Sequence, residues 1–230
     1  MALYDKKNNE NYPISAVIFD VDGVLVDTVP LHFRAWQRVF SEESIPFGKQ
    51  EYLSINGIPR DEGIRIILGH AATIELVRKI GDRKQHYYLA SLERTRLLPL
   101  PGIVRLLRQI QKTGWRIAAA SSSKNAATVL AVARLTEYFD AIITGYDFQL
   151  PKPHPDIFLT AARLLRIEPS HTIVVEDAIN GVRAAVTGGF HCAAVATSES
   201  ADALRAAGAE IIVSSTDKLS TDIFHQLGSV

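Results

Sequence analysis

Six short apolar runs, separated by longer amphipathic stretches, restrict the fold of this chain more than any other feature. In chain order the runs cover residues 17–19, 117–120, 141–143, 172–175, 192–195 and 211–213. Short apolar runs of this kind are typical of strands buried on both faces. Between most of them apolar residues recur at helical spacing, for example at Ile103, Leu106, Leu107 and Ile110, which predicts helices with one apolar stripe. Strands that alternate with such helices predict an α/β fold with a doubly wound (Rossmann-like) parallel sheet.

The alternation of strands and helices stops between residues 28 and 98. Helical spacing continues there, at Phe33, Trp36 and Phe40 and again across residues 73–96, but no run has the pattern of a buried strand. Pro99 and Gly102 then mark the return to the alternating pattern. We therefore predict an inserted α-helical cap domain at residues 29–98 and a core domain made of residues 1–28 and 99–230.

The balance of charges and the single cysteine limit the partners and the compartment. Lys and Arg total 25 and Asp and Glu total 25, so no basic field favours nucleic acid or an anionic membrane. No apolar run has the length of a membrane span. Cys192 has no second cysteine to pair with, and the polar first thirteen residues lack the apolar centre of a signal peptide. We expect a monomeric cytoplasmic protein with a small-molecule partner.

Two aspartates directly follow the first apolar run and are the first candidates for chemistry. Asp20 and Asp22 are two positions apart, and Gly23 comes next. Side chains two apart on an extended chain point to the same side, so both carboxylates can face one pocket. A carboxylate can act as a nucleophile, as a metal ligand, or as a general acid or base. The alternative is an ordinary turn, because Asp and Gly are common turn residues.

Three later strand ends also carry side chains that suit a phosphate or a metal. The second run leads into three serines, a lysine and an asparagine at residues 121–125. Lys152 follows the third run and stands between two prolines, and Glu176 and Asp177 follow the fourth. Each has a simpler alternative, since serines and Asp177 can cap helices and a loop lysine can be solvated. Four such strand ends in order are hard to explain as unrelated caps, so we predict one site at the carboxyl edge of the sheet.

These strand ends resemble the four motifs of the haloacid dehalogenase-like superfamily of phosphotransferases, and the similarity extends over nearly the whole chain, including the cap. The resemblance implies that Asp20 is a nucleophile that forms an aspartyl phosphate and that Asp22 exchanges a proton with the attacking or leaving oxygen. Ser121 and Lys152 would hold the transferring phosphoryl group. The implied cofactor is Mg²⁺, and its implied ligands are Asp20, the main-chain carbonyl of Asp22, Asp177 and, directly or through a neighbouring ligand, Glu176.

Within the superfamily the chain is most similar to the β-phosphoglucomutases, which interconvert β-glucose 1-phosphate and glucose 6-phosphate through a bisphosphate. The matching stretches are residues 27–28, 31–36, 57–62, 83–84 and 121–125. The resemblance implies that Arg60 holds the second phosphate and that Lys84 assists it. The implied substrate-binding residues are His32, Trp36, Gly57, Ile58, Arg60 and Lys84 in the cap, and Ser123, Lys124 and Asn125 in the core.

The cap loop departs from the mutase pattern at two positions. Pro59 stands where the pattern has serine, and Asn56 stands where some mutases have lysine. The alternative function is a phosphatase that acts on a sugar phosphate or another small phosphate ester, with water as the acceptor. A non-catalytic relative that only binds phosphorylated ligands is a remote alternative, because such a protein is expected to lack the nucleophile, the lysine or the metal-binding acids.

Overall fold

The computed structural model describes residues 14–55 and 58–227. The described residues form a six-stranded sheet in which every neighbouring pair is parallel. The strands are β1 (Ala16–Phe19), β2 (Arg116–Ala120), β3 (Ala141–Ile143), β4 (Thr172–Glu176), β5 (His191–Val195) and β6 (Ile211–Val213). Their order across the sheet is β3-β2-β1-β4-β5-β6. The predicted fold class is confirmed, and all six predicted strands are present.

The helices account for most of the remaining chain. The α-helices of the described ranges are α1 (Val29–Glu42), α2 (Lys49–Ile55), α3 (Arg60–Leu68), α4 (Ile74–Arg94), α5 (Ile103–Thr113), α6 (Ala126–Val132), α7 (Asp156–Leu165), α8 (Ile179–Thr187), α9 (Ala201–Ala207) and α10 (Thr221–Leu227). None of these helices combines the length and the hydropathy needed to cross a lipid bilayer.

Alternate residues of the central strands supply two separate apolar cores. Val17 and Phe19 of β1 belong to a cluster with residues of α5, α6 and α10. Ile18 belongs to a second cluster, with residues of α7, α8 and α9. Successive side chains of a strand point to opposite faces of the sheet, so an apolar strand needs a helical layer on each side. The apolar runs therefore produce a sheet covered on both faces.

The strand register brings the chemically important residues to one edge. Phe19 at the end of β1 pairs with Ala119 of β2 on one side and with Val175 of β4 on the other. The residues that follow these three strands therefore lie next to one another. A site at this edge combines chain segments that are more than a hundred residues apart in sequence.

Helices α1 to α4 lie between β1 and the rest of the alternating pattern, and we call them the helical cap. They have an apolar cluster of their own, built around Trp36, Phe40, Ile64 and Ile80. Helix α4 begins where the side chain of Thr73 accepts a hydrogen bond from the N–H of Leu76 at 3.2 Å, which satisfies one of the free donors of the first turn. The predicted helical insertion is thus present, and its exact domain boundaries remain a prediction.

Candidate active site

Asp20, Lys152 and Glu176 form a buried charged cluster at the end of β1 and β4. The Nζ atom of Lys152 lies 2.5 Å from Oδ1 of Asp20 and 2.5 Å from Oε1 of Glu176. Burial raises the pKa of Asp20 and Lys152 lowers it, while the neighbouring acids raise it further. Burial disfavours the charge of Lys152, but Asp20 and Glu176 together raise its pKa above the ordinary value. The lysine is therefore a fixed cation beside the predicted nucleophile.

Asp20, Glu176 and Asp177 are close enough together to hold one cation. An oxygen of each lies within 4.8 Å of an oxygen of the other two. Burial, followed by the charge of Glu176, raises the pKa of Asp177 to about 7. Several buried carboxylates with one lysine leave an excess of negative charge, and hard oxygen ligands of this type suit Mg²⁺. The residues present fit the implied metal.

The two oxygens of Glu176 have different partners. Oε1 accepts the hydrogen bond from Lys152, and Oε2 accepts from the main-chain N–H groups of Asp177 and Ala178 at 2.9 and 3.0 Å. These contacts fix the carboxylate against the start of α8. Glu176 therefore orients the ammonium group of Lys152 and the main chain at Asp177 and Ala178. It also adds a negative charge to the group of acids that could hold a cation.

Ser198 was not predicted from the sequence, and the structure places it at the cation site. Its hydroxyl donates a hydrogen bond to Oδ2 of Asp177, which lowers the pKa of that carboxyl. Ser198 follows β5, the strand next to β4 in the sheet. The possible sequence signal was its position just after another apolar run, but a lone serine in a loop is too common to single out.

Gly23 leaves room for Asp177. Its φ angle of +90° lies in the left-handed region that favours glycine. A Cβ atom at this position would overlap the carboxylate of Asp177. The glycine after the two aspartates is thus needed both for its backbone conformation and for the approach of the fourth strand end.

Asp22 has different surroundings from Asp20. Its Oδ1 accepts a hydrogen bond from the hydroxyl of Thr28, and its Oδ2 accepts from the hydroxyl of Ser121 at 3.1 Å. Its carboxylate is not among the three that could hold the cation; the resemblance assigns that role to its main-chain carbonyl. The sequence did not indicate that Thr28 contacts Asp22. The two aspartates are therefore held by different groups, as a division of roles requires.

Residues 121–125 form a tight loop in which side chains bind main-chain donors. The N–H of Ser123 donates to Oγ of Ser121 at 3.0 Å, and the N–H of Asn125 donates to Oγ of Ser123 at 3.1 Å. Lys124 lies over the ring of Tyr146, with Nζ 4.9 Å from the ring centroid. Ser121 joins this loop to Asp22, and we call residues 121–125 the serine loop.

Lys84, His32 and Trp36 meet inside the helical cap. Nζ of Lys84 lies 2.9 Å from Nδ1 of His32 and 5.0 Å from the ring centroids of Trp36 and Tyr88. Burial, with a smaller effect from Arg60, lowers the pKa of Lys84 to about 7. Burial and the neighbouring lysine lower the pKa of His32 well below its ordinary value. His32 therefore stays neutral and can accept a hydrogen bond from the ammonium group.

Arg60 lies at the start of α3 and contacts α4. Its Nε donates to Asp61 at 2.7 Å and its Nη1 donates to the carbonyl of Gly81 at 3.2 Å. Pro59 immediately precedes the helix, a position where the missing N–H of proline costs no helical hydrogen bond. The guanidinium remains partly exposed. Arg60 and Lys84 are thus two basic side chains of the cap, on neighbouring helices.

The cap loop next to Arg60 is described only in part. Asn56 and Gly57 lie outside the described residues, so the prediction for Gly57 has no structural counterpart. Ile58 is partly buried, and its N–H donates to the carbonyl of Ile55 at 3.1 Å.

Comparisons with known proteins agree with this geometry. A family model of haloacid dehalogenase-like hydrolases matches residues 14–189. A β-phosphoglucomutase of Bacillus subtilis is 33% identical over 219 residues, which are 93% of this chain and 95% of that protein. A phosphorylated carbohydrates phosphatase of Thermotoga maritima is 30% identical over 184 residues, which are 77% of this chain and 82% of that protein.

Solved structures give the same result. The crystal structure of a β-phosphoglucomutase from Clostridium difficile has a TM-score of 0.85 and 29% sequence identity, and the match covers 94% of this chain and 97% of that one. Sequence and structure therefore agree over both the sheet and the helical cap. The chain belongs to the haloacid dehalogenase-like hydrolase family, and it is an enzyme similar both to β-phosphoglucomutases and to sugar-phosphate phosphatases.

Proposed function

We propose that the protein is a Mg²⁺-dependent β-phosphoglucomutase, which converts β-glucose 1-phosphate to glucose 6-phosphate through glucose 1,6-bisphosphate and an aspartyl phosphate. The observation that carries this proposal is the pair of aspartates with different partners, Asp20 beside Lys152 and Asp22 beside two hydroxyls. The relatives that are named β-phosphoglucomutases support the choice of reaction.

Asp20 is the proposed nucleophile. One of its oxygens forms the bond to phosphorus while the bond from phosphorus to the donor oxygen breaks. Lys152 offsets the negative charge on the transferring group because it lies 2.5 Å from Asp20. Asp20, Asp177 and the main-chain carbonyl of Asp22 would hold Mg²⁺, which when bound supplies further charge neutralisation and orients the phosphoryl oxygens.

Asp22 is the proposed acid and base. It donates a proton to the oxygen that leaves phosphorus and removes a proton from the sugar hydroxyl that attacks the phosphorylated Asp20. Thr28 and Ser121 bind its two oxygens in the structure, so they fix the carboxylate outside the cation site. Asp22 would act when one of its oxygens leaves the hydroxyl of Thr28 or Ser121 and binds the sugar oxygen instead.

A mutase must also hold the phosphate that does not react. Arg60 and Lys84 from the cap are the proposed groups for this second phosphate, and Ser123, Lys124 and Asn125 of the serine loop are proposed to hold the substrate on the core side. A guanidinium can bind a phosphate through two parallel hydrogen bonds. Burial lowers the pKa of Lys84 to about 7, and a phosphate dianion beside it would favour its protonated form.

A sugar-phosphate phosphatase is the second candidate, because one relative is named a phosphorylated carbohydrates phosphatase and Pro59 departs from the mutase pattern. One assay separates the two. The protein is incubated with β-glucose 1-phosphate, Mg²⁺ and a trace of glucose 1,6-bisphosphate, and glucose 6-phosphate and free phosphate are both measured. The mutase proposal expects glucose 6-phosphate as the main product. Predominant release of phosphate would overturn it.

The role of Arg60 has its own test. Arg60→Ala should reduce turnover of the bisphosphate by roughly a hundredfold, since a charged contact to phosphate is lost. Hydrolysis of a small monophosphate should change much less. Arg65→Ala is the matched control, because Arg65 lies on the same helix and is exposed. Equal losses on both substrates would show that Arg60 does not hold the second phosphate.

A further inference from the structure

Gln85 and Asn125 join the helical cap to the serine loop. Nε2 of Gln85 donates to Oδ1 of Asn125 at 2.6 Å, and Nδ2 of Asn125 donates to Oε1 of Gln85 at 3.2 Å. The two amide groups thus satisfy each other through a donor and an acceptor on each side. Gln85 lies on α4, directly after Lys84, and Asn125 lies at the start of α6.

This amide pair is a polar contact between a side chain of the helical cap and a side chain of the core. Between the helical cap and the core, no other pair of described side chains is joined by a hydrogen bond or an ion pair. Tyr88 and Leu92 of α4 also contact the core, as members of the core cluster. Gln85 comes one helical turn before Tyr88, so the amide pair is the polar end of this contact, on the side of the serine loop.

The amide pair is also connected to Asp22. From Asn125 the N–H donates to Ser123, the N–H of Ser123 donates to Ser121, and the hydroxyl of Ser121 donates to Asp22. Gln85 is therefore linked to the proposed acid and base through the serine loop, by hydrogen bonds together with the covalent bonds of Asn125 and Ser123. Asn125 keeps a second N–H that can donate to a phosphate while the pair is intact.

We propose that Gln85 is a positioning residue that holds the helical cap against the serine loop through Asn125, and so limits the attack of water on phosphorylated Asp20. This inference rests on the proposed aspartyl phosphate. Loss of the amide pair would free the cap at its polar end and leave the orientation of Asn125 undefined. Water would then reach the phosphorylated aspartate more often, and the enzyme would behave more like a phosphatase.

The test uses acetyl phosphate as donor and no sugar. The phosphoryl group moves from acetyl phosphate to Asp20 with release of acetate, and water then releases it as inorganic phosphate. The protein is labelled with radioactive acetyl phosphate in Mg²⁺, the donor is removed, and the loss of label is followed. Gln85→Ala should lose its label about tenfold faster than the wild type, as expected when two neutral hydrogen bonds are removed. Gln85→Glu keeps the size of the side chain but sets a carboxylate oxygen against Oδ1 of Asn125, so it should also lose its label faster than the wild type.

The controls separate this role from a general loss of structure. Glu93→Ala truncates an exposed side chain of the same helix and should lose its label at the wild-type rate. Asn125→Ala should show the same acceleration as Gln85→Ala, and the double variant should show no more. Hydrogen exchange across residues 121–126 should rise in Gln85→Ala and stay unchanged in Glu93→Ala.

Each outcome decides between the proposals. Equal rates for Gln85→Ala and the wild type, or additive effects in the double variant, would overturn the role of Gln85. A wild type that takes up label but makes no glucose 6-phosphate would overturn the mutase function alone. A wild type that takes up no label would overturn both.

Discussion

The buried Lys84 of the helical cap should make the stability of the protein depend on pH in a defined direction. The residue is 5% exposed, and burial lowers the pKa of its ammonium group from the ordinary 10.5 to about 7. Each tenfold change in proton affinity corresponds to ~1.4 kcal/mol, so keeping the charged form buried costs about 5 kcal/mol. Lys84→Met keeps most of the apolar volume and removes the titrating group.

The direction of this pH dependence is set by the number of protons that the folded and the unfolded states bind. Above pH 7 the folded protein loses the proton of Lys84, while the unfolded chain keeps it up to about pH 10. Because the unfolded state then binds more protons, the free energy of unfolding rises with pH. From about pH 7 to about pH 9 the wild type should gain ~2 kcal/mol relative to Lys84→Met. This pH range lies above the ordinary pKa of histidine, so His32 adds little to the change in the free energy of unfolding.

Urea unfolding of both proteins at several pH values measures this difference. Lys49→Met is the control, since Lys49 is an exposed lysine of the same helical cap, and its difference from the wild type should stay constant. If the difference between the wild type and Lys84→Met is also constant, or falls as pH rises, the reasoning about the buried ammonium is wrong.

Two further predictions concern the cation site. Ser198→Ala removes a hydrogen bond that lowers the pKa of Asp177, so Mg²⁺ should bind about tenfold more weakly, and the loss of affinity should be larger at lower pH. Calorimetric titration with Mg²⁺ measures the affinity, and Ser214→Ala, at an exposed serine, is the control. An unchanged affinity of Ser198→Ala would contradict the prediction. Gly181→Ala places a Cβ against Oε1 of the fixed Glu176, so the free energy of unfolding should fall by roughly 2 kcal/mol. Urea unfolding measures this difference. If the variant is as stable as the wild type, Glu176 can move away from the added methyl group.

The sequence by itself determined the sheet, the helical insertion and the strand ends. A parallel strand covered on both faces is apolar over most of its length, which made all six strands visible as apolar runs. The carboxyl ends of such strands must meet at one edge, so the approach of Lys152 to Asp20 and Glu176 could be predicted although they lie far apart in the chain. The roles assigned to these residues by resemblance stay predictions.

Only the tertiary structure decided which neighbours these residues have. Thr28 beside Asp22, Ser198 beside Asp177 and Gln85 beside Asn125 are contacts between ordinary polar residues. A hydroxyl or an amide in a loop or on a helix has the same local pattern whether it faces water or an active site. What distinguishes these residues is the distance to a partner elsewhere in the fold. For Thr28 and Ser198 that distance is set by how the loops at the strand ends approach one another, and for Gln85 it is set by how the helical cap packs against the core.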